Sequence, residues 1–267
     1  MIIGKSKREL EKMRAAGRLV AEVREELRRM VRPGVTTLEL DMAAEKMIRD
    51  AGAKPTFKGY HGFPYSICAS VNEQVVHGFP SAYELQEGDI FSLDCGVTLG
   101  GFVGDTATTV PVGRVDEDRL KLIRVAEECL ERAIRQCRPG NHLGDIGWAV
   151  QELAEAHGYG IVRDYVGHGI GRKMHEDPQI PNYGKPGTGI KIRSDYVFAI
   201  EPMINMGTHK TKTLKDGWTV VTLDGRPSAH VEHTVAVTEE GPEVLTRLTA
   251  EAAPTPQPEE QAAPAGA

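Results

Sequence analysis

From Lys7 to about Val31 apolar residues return every three or four positions, at Leu10, Met13, Val20, Val23, Leu27 and Met30, with Gly17 in the same register. That period lays one apolar stripe along an amphipathic helix. Arg32-Pro33-Gly34 ends it. Thr36 and Glu39 then stand at capping-box spacing, predicting a second helix that runs to about Ala51 and stops at Gly52. Two further helices read the same way, about Glu117 to Gln136 and about Leu143 to Ala156. Strand-like runs lie between and after these pairs: Tyr65 to Val71, Ile90 to Val97, Phe102 to Val110, Tyr196 to Met203, Thr219 to Leu223 and His230 to Thr238. Gly100-Gly101 marks a hairpin between the second and third of them.

The pattern occurs twice. Arg32-Pro33-Gly34 returns as Arg138-Pro139-Gly140, and Gly52 as Gly158 at the same shift. One residue more of shift aligns His61-Gly62 with His168-Gly169, and Asp94 with Glu201. Each half therefore reads as two helices, a His-Gly turn and a strand carrying a carboxylate. Two units are too few for a solenoid, so the expectation is one α+β domain of approximate two-fold symmetry. Its two antiparallel sheets would merge into one curved sheet with helices on the outer face, and Asp94 would face Glu201 across the pseudo-axis. The boundaries expected are a single unit over residues 1–250, with halves at about 5–113 and 114–248. The remaining 251–267 stretch of Pro, Ala, Glu and Gln has almost nothing to bury and reads as a disordered tail.

Polar residues that interrupt apolar strands point to chemistry. Asp94 sits in Ile90-Phe-Ser-Leu-Asp94-Cys-Gly-Val, and Asp105 follows across the hairpin. Two carboxylates on one face of a hairpin repel unless a proton or a cation lies between them. Glu201 and Glu232 repeat the pattern in Val197-Phe-Ala-Ile-Glu201-Pro and His230-Val-Glu232-His. Strand alternation puts His230 and Glu232 on one face and His233 on the other. Burying four carboxylates requires strong positive compensation, and these runs contain no matching set of Lys or Arg. Metal ions answer that need, and oxygen ligands with a minority of imidazole favour manganese, iron, cobalt or magnesium over a purely structural zinc. His168, in Tyr165-Val-Gly-His-Gly-Ile-Gly, is the natural nitrogen ligand, with glycines that let the backbone turn and approach closely. The same glycines do not follow GxGxxG. His175-Glu176-Asp177-Pro178 lacks the second histidine of HExxH, and Pro178 breaks the helix that motif needs. His77 and His175 are candidates for holding a substrate or stabilising charge beside such a site.

Composition narrows the partners. The formal net charge of −6, with both signs mixed along the chain, argues against a nucleic-acid polyanion as the main partner, though it leaves room for weak docking on a ribosome. No apolar run is long enough to span a membrane, and the opening MIIGKSKREL has no apolar signal core. The four cysteines, Cys68, Cys95, Cys129 and Cys137, form no CxxC pair and read as reduced thiols. A cytoplasmic protein is the expectation.

Seven segments together resemble the type I methionine aminopeptidases. They are Gly59-Tyr-His-Gly-Phe-Pro64, Val71-Asn-Glu-Gln-Val-Val-His-Gly78, Ser92-Leu-Asp-Cys-Gly96, Asp105-Thr-Ala, Gly167-His-Gly-Ile-Gly-Arg172, Glu201-Pro-Met and Val231-Glu-His-Thr234. The likeness runs from about residue 5 to 248 and implies the pita-bread fold. It implies two divalent ions drawn from cobalt, manganese, iron and zinc. Asp94 would chelate one, Asp105 and Glu232 bridge both, and His168 and Glu201 complete the other. A water between them would attack the first peptide bond, with Glu201 as proton acceptor and shuttle. His175 would stabilise the oxyanion and His77 contact the peptide group being cut.

The methionine pocket implied by the resemblance comprises Phe57, Tyr60, Phe63, Cys68, Met174 and Trp218, beside His77 and His175. Phe57 and Met174 stand where the family leads one to expect Cys and Phe, and Phe63 where Tyr is frequent, so fine specificity is in question. Asn72 and Ser228 match positions that help bind a monovalent cation in relatives. The implied activity is removal of the initiator methionine from nascent chains when the second residue is small, by a monomer with no nucleic-acid role. A Pro-specific aminopeptidase or dipeptidase of the same fold is the alternative enzyme, but it usually carries an added N-terminal domain for which residues before about 5 leave no room. A type II enzyme would show a long helical insertion in the second half. A non-catalytic peptide-binding protein of the fold would lack metal ligands, and all five positions are filled here.

Overall fold

The structure, a computed structural model, describes residues 2–248. The expected tail over 251–267 lies outside the described residues.

The four helices form close to where the periodicity puts them: α1 Lys7–Met30, α2 Thr37–Asp50, α3 Glu117–Gln136 and α4 Leu143–Ala156. Their starts are set by side chains that satisfy free backbone donors. Ser6 with Glu9, and Thr36 with Glu39, make reciprocal capping boxes, and Asp116 accepts from the Arg119 N–H. Each such cap contributes about 1 kcal/mol.

A nine-stranded sheet holds the centre. Its strands are β1 Lys54–Pro55, β2 Ile67–Val71, β3 Ile90–Leu99, β4 Phe102–Pro111, β5 Gly167–Gly169, β6 Glu176–Ile180, β7 Val197–Ile200, β8 Glu232–Thr238 and β9 Gly241–Val244. The order is β1-β3-β4-β8-β7-β5-β6, with β2 also on β3 and β9 also on β8, all antiparallel. Read outward from the β4–β8 seam, β4-β3-β2 on one side answers β8-β7-β5 on the other. That seam is the pseudo-two-fold axis expected from the repeat.

Strand alternation divides the sheet faces. Phe91, Leu93, Cys95 and Val97 of β3 pack with Val20, Leu27, Leu40 and Ile48 of α1 and α2 in one buried core. Phe198, Ile200, Val235 and Val237 pack with Leu122, Leu130, Ile146 and Val150 of α3 and α4 in a second. Helices thus cover the outer face of each half, and the intervening residues, among them Asp94, Ala107, Ala199 and Glu232, belong to the inner face.

Gly100 and Gly101, with φ of 59° and 81°, close the β3–β4 hairpin between Leu99 and Phe102. A two-residue turn with both φ positive matches the right-handed strand twist, and only glycine enters it without strain.

Three local readings need correction. The Tyr196–Met203 run is two strands, because Pro202 has no N–H to continue a ladder and the chain passes to Met203–Asn205 in a separate three-stranded sheet. The His230–Thr238 run also divides, with Ser228–His230 joining that second sheet and Val231 donating to the Pro202 carbonyl. Finally, the two His-Gly pairs are not local equivalents. His61 lies in a 3₁₀ turn, whereas His168 lies in β5 with a bulge after it. The glycines around His168 serve close approach rather than a turn. A Cβ at Gly167 would come within 2.5 Å of the Ala199 carbonyl oxygen, and one at Gly169 within 2.0 Å of the Asp177 carbonyl oxygen.

Candidate metal centre

Register explains how acids far apart in sequence meet. Cys68, Asp94, Ala107 and Glu232 lie abreast on four consecutive strands. Asp105 is two residues before Ala107, on the same face and opposite Gly96. His168, Ala199 and Thr234 form a second row beside the first. The residues between and beside the acids in these rows, Ala107 and Ala199, are small.

Ligand atoms of Asp105, His168 and Glu232 all lie within 4.8 Å of one another. Glu201 approaches this cluster with Oε1 3.3 Å from His168 Nε2 and Oε2 3.8 Å from His230 Nε2. Asp94 is outside that tightest group, beside its cross-strand partner Cys68, but it lines the same cavity.

The donors are aimed and unsatisfied. Asp94 Oδ1, Asp105 Oδ1, Glu232 Oε1 and His230 Nε2 are buried without a hydrogen-bond partner, an arrangement that is expensive for a protein to maintain. His168 Nδ1 lies 2.9 Å from the Gly169 carbonyl. Donating its proton there leaves an Nε2 lone pair facing Glu201 Oε1, so two acceptors confront each other unless a proton or a cation intervenes. Burial pushes the carboxyls of Asp94, Glu201 and Glu232 well above their ordinary range, with repulsion among the acids adding to it, and pushes Asp105 up to about 7. Burial holds His168 and His230 down at about 3. A divalent cation would restore the ionised form of the four acids and would find the imidazoles already in the neutral form that binds metal. An oxygen-rich donor set with an imidazole fits such ions.

Threonines fix the acids from behind, a layer that the strand pattern gave no reason to single out. The Asp105 N–H donates to Thr234 Oγ1 at 3.0 Å, and the Thr234 hydroxyl returns a bond to the Asp105 carbonyl at 2.8 Å. On the outer face, the buried Arg24 guanidinium donates to Thr106 Oγ1, whose hydroxyl donates to the Glu232 carbonyl, both at 2.9 Å.

Beside the acids the cavity, about 270 Å³, becomes apolar. Phe57, Tyr60, Phe63, Cys68, His77, Met174, His175 and Trp218 all line it together with Asp94, Asp105, His168, Glu201 and Glu232. Phe63 meets Trp218 edge-on at 5.1 Å, and Trp218 lies 6.2 Å from His77. His77 holds a φ of 60°, uncommon for a side-chain-bearing residue and concentrated at functional positions. Burial lowers its pKa to about 4. His175 lies 4.3 Å from the His168 ring, with Nδ1 2.7 Å from the Tyr60 hydroxyl.

The sequence did not single out Tyr165, Met203, His61 or His230 as pocket residues, and all four line the cavity. For His230 a signal existed: it shares the Glu232 face two residues away. Asn72 and Ser228 do meet, the Ser228 N–H donating to the Asn72 carbonyl at 2.9 Å, but outside the cavity lining.

The family model for metallopeptidase family M24 matches residues 11–239. The chain belongs to metallopeptidase family M24. This M24 chain is 54% identical over 248 residues to a methionine aminopeptidase of Clostridium perfringens, covering 93% of itself and 100% of that relative. It resembles the crystal structure of a Thermotoga maritima methionine aminopeptidase with a TM-score of 0.91 and 46% identity, over 93% of this chain and 100% of that one. A Pyrococcus horikoshii prolidase superposes at a TM-score of 0.75 but only 19% identity, with 64% of its longer chain covered. That likeness speaks for the shared pita-bread fold alone. Membership of a metallopeptidase family agrees with the unsatisfied donors: M24 chemistry calls for divalent metal, and these residues could hold it.

Proposed function

We propose that this protein is a metal-dependent methionine aminopeptidase that removes the initiator methionine from peptides and nascent chains whose second residue is small. The observation carrying the reading is one cavity, acid-lined on one side and apolar on the other, with room for an unbranched side chain beside reactive groups. Near full-length likeness to methionine aminopeptidases supports it.

On this reading Asp94, Asp105, His168, Glu201 and Glu232 would hold two divalent ions. The ions are drawn from cobalt, manganese, iron and zinc. When bound they supply Lewis-acid activation of water and of a carbonyl. The protein's own groups do the rest. Phe57, Phe63, Cys68, Met174 and Trp218 bury the methionine side chain and exclude water. Glu201, already inclined to take a proton by its buried setting, accepts the proton of the attacking water and passes it to the leaving amine. In the tautomer in which the Tyr60 hydroxyl, 2.7 Å away, donates to Nδ1, neutral His175 carries its proton on Nε2 and can donate it to the developing oxyanion. His77, kept neutral by burial, contacts the scissile peptide group.

The whole of residues 1–250 would act as one catalytic unit, monomeric and cytoplasmic, with weak ribosome contact and a monovalent cation near Asn72 and Ser228. No helix among the described residues is long and apolar enough to cross a membrane. The test is an assay of the metal-reconstituted protein on Met-Ala-Ser against X-Pro peptides. Preferential release of methionine is expected, and faster X-Pro cleavage would overturn the assignment.

A further inference from the structure

One buried ion pair lies outside the chemistry above. Lys5 Nζ meets Glu176 Oε2 at 2.8 Å across 171 residues of sequence, with the two side chains only 5% and 13% exposed. Lys5 is anchored at its other polar groups: its N–H donates to the Asp195 carbonyl and its Nζ to the Ile3 carbonyl, both at 2.8 Å. Glu176 is equally committed. Its Oε1 accepts the backbone N–H groups of Arg172 at 2.8 Å and Lys173 at 3.2 Å, closing the turn that begins at Gly171.

That turn carries two cavity residues, Met174 and His175. His175 immediately precedes Glu176, and Glu176 is paired in register with Gly169, next to His168. The turn is shaped around the ion pair. A Cβ at Gly171 would fall 2.4 Å from Lys5 Cε and 2.7 Å from Glu176 Oε1, so only glycine leaves room for both. The neighbouring pair Arg172–Glu9 joins the same segments, but with side chains 64% and 28% exposed. An exposed pair of that kind contributes little.

A buried ion pair is seldom the most stable way to fill its space. What this one provides is direction: one carboxylate oxygen is held by an ammonium and the other by two amides, so the turn has one favoured position. We propose that Lys5 and Glu176 are positioning residues that set the Gly171–His175 turn, and with it His175, against the cavity. The segment ahead of α1 then becomes a working part of the active site. The proposal rests on the role given to His175 under the aminopeptidase reading.

The test uses the full chain reconstituted with manganese and the peptide Met-Ala-Ser. Lys5→Met should lower kcat roughly 10- to 100-fold through misplacement of His175, with KM and the calorimetric manganese Kd within about threefold. Lys5→Arg should recover most of the rate. Glu176→Gln keeps an oxygen for both amides but weakens the hold on Lys5. It should also lower kcat, and combining it with Lys5→Met should add little, since the two act as a unit. If Lys5→Met does not fold, Glu176→Gln and Lys5→Arg carry the test.

In metal-free protein, Glu176→Gln should shift the His175 ring Cε1–H resonance and leave that of His77 in place. This measurement needs no turnover. A wild type that fails to release methionine would therefore sink the aminopeptidase reading while the ring resonance still decides the pair. Unchanged kcat together with an unmoved His175 resonance in Glu176→Gln would overturn the proposal. So would a loss that appears equally in manganese affinity, which would mean general loosening.

Discussion

Asp94 and Glu201 occupy matching places on either side of the β4–β8 seam, yet their settings differ. Asp94 lies midway along a ten-residue strand, paired on both sides, with Cys68 and Ala107 as neighbours. Glu201 lies where β7 stops, before Pro202. Its carbonyl accepts from the Asn182 side chain at 3.0 Å, and its carboxylate faces two imidazoles. The same division extends through the halves. The first supplies Phe57, Phe63 and Cys68 of the apolar wall, with His77 and two acids locked into a hairpin, while the second completes that wall with Met174 and Trp218 and supplies His168, His175, Glu201 and Glu232. The repeat sets one scaffold down twice, and on the proposed reading the strand end at Glu201-Pro202 gives one copy of the acid its proton-transfer role. On the proposed roles the first half chiefly holds, and the second carries the proton-transfer acid.

The sharpest way to break this contrast is to neutralise both acids isosterically. Glu201→Gln should reduce kcat on Met-Ala-Ser by about 10³-fold, in the range expected for loss of a proton-transfer group. Asp94→Asn should act chiefly on metal retention, weakening divalent affinity at least about tenfold while recovering much of its rate at saturating metal. Equal kcat losses at saturating metal would show that the two acids are equivalent ligands and that the asymmetry has no chemical meaning.

Metal removal comes next in size, because both halves contribute acids to one buried cluster. Carboxyls whose pKa is raised in the folded state stabilise it below their unfolded pKa, and that contribution is lost as pH rises through the folded value. Asp105 titrates at about 7, with Asp94, Glu201 and Glu232 also raised. Depressed histidines act in the opposite sense, but only below their unfolded pKa near 6.5. Above about pH 6.5, where the histidines no longer oppose it, chelated protein should therefore lose thermal stability as pH rises through the folded pKa values of these acids. Divalent ion at about 100 times its Kd should add about 2.7 kcal/mol, worth about 5–10 °C for a chain of this size. A Tm that is flat over that window without metal would contradict the coupled acid cluster.

How much of this could be read from the chain depends on the range of the signal. Helix periodicity, capping boxes and the Gly100-Gly101 turn are local, and the structure places those elements within a few residues of expectation. The placing of Asp94 and Asp105 on one face of the hairpin was legible because a two-residue turn fixes register. The sheet switches at Pro202 and Val231 were not, since apolar alternation continues through both while hydrogen-bond partners change. The threonines behind the acids and the Lys5–Glu176 pair were equally hidden. Nothing in a sequence of ordinary Thr, Lys and Glu residues says which of them end up buried against one another from opposite ends of the chain. The equivalence of Asp94 and Glu201 came from a constant shift, but His61 and His168 showed the same shift and fold differently. A repeat predicts place more reliably than local conformation.

If the first half chiefly holds the substrate, enlarging its pocket should tell mainly in KM. Phe57→Ala removes a buried ring from the cavity wall, and KM for Met-Ala-Ser should rise about tenfold, the scale of lost apolar contact in a binding pocket, with kcat changing far less. A collapse of kcat with unchanged KM would instead make Phe57 part of the reacting apparatus.

The smallest effect comes from Gly96, which faces Asp105 across the hairpin. An alanine Cβ there would lie 2.7 Å from Phe57 Cε1, so the ring must give way. Overpacking of this kind costs about 1 kcal/mol or somewhat more. The displaced ring should raise KM a few-fold, while the acids, held by their own strand pairing and threonines, keep kcat and metal affinity near wild type. In Phe57→Ala the same methyl meets empty space. Gly96→Ala added to that variant should therefore cost nothing further in Tm and leave its KM unchanged or slightly improved. If the second substitution lowers kcat in that background, the disturbance has passed to Asp105, and the holding and reacting functions share one strand pair.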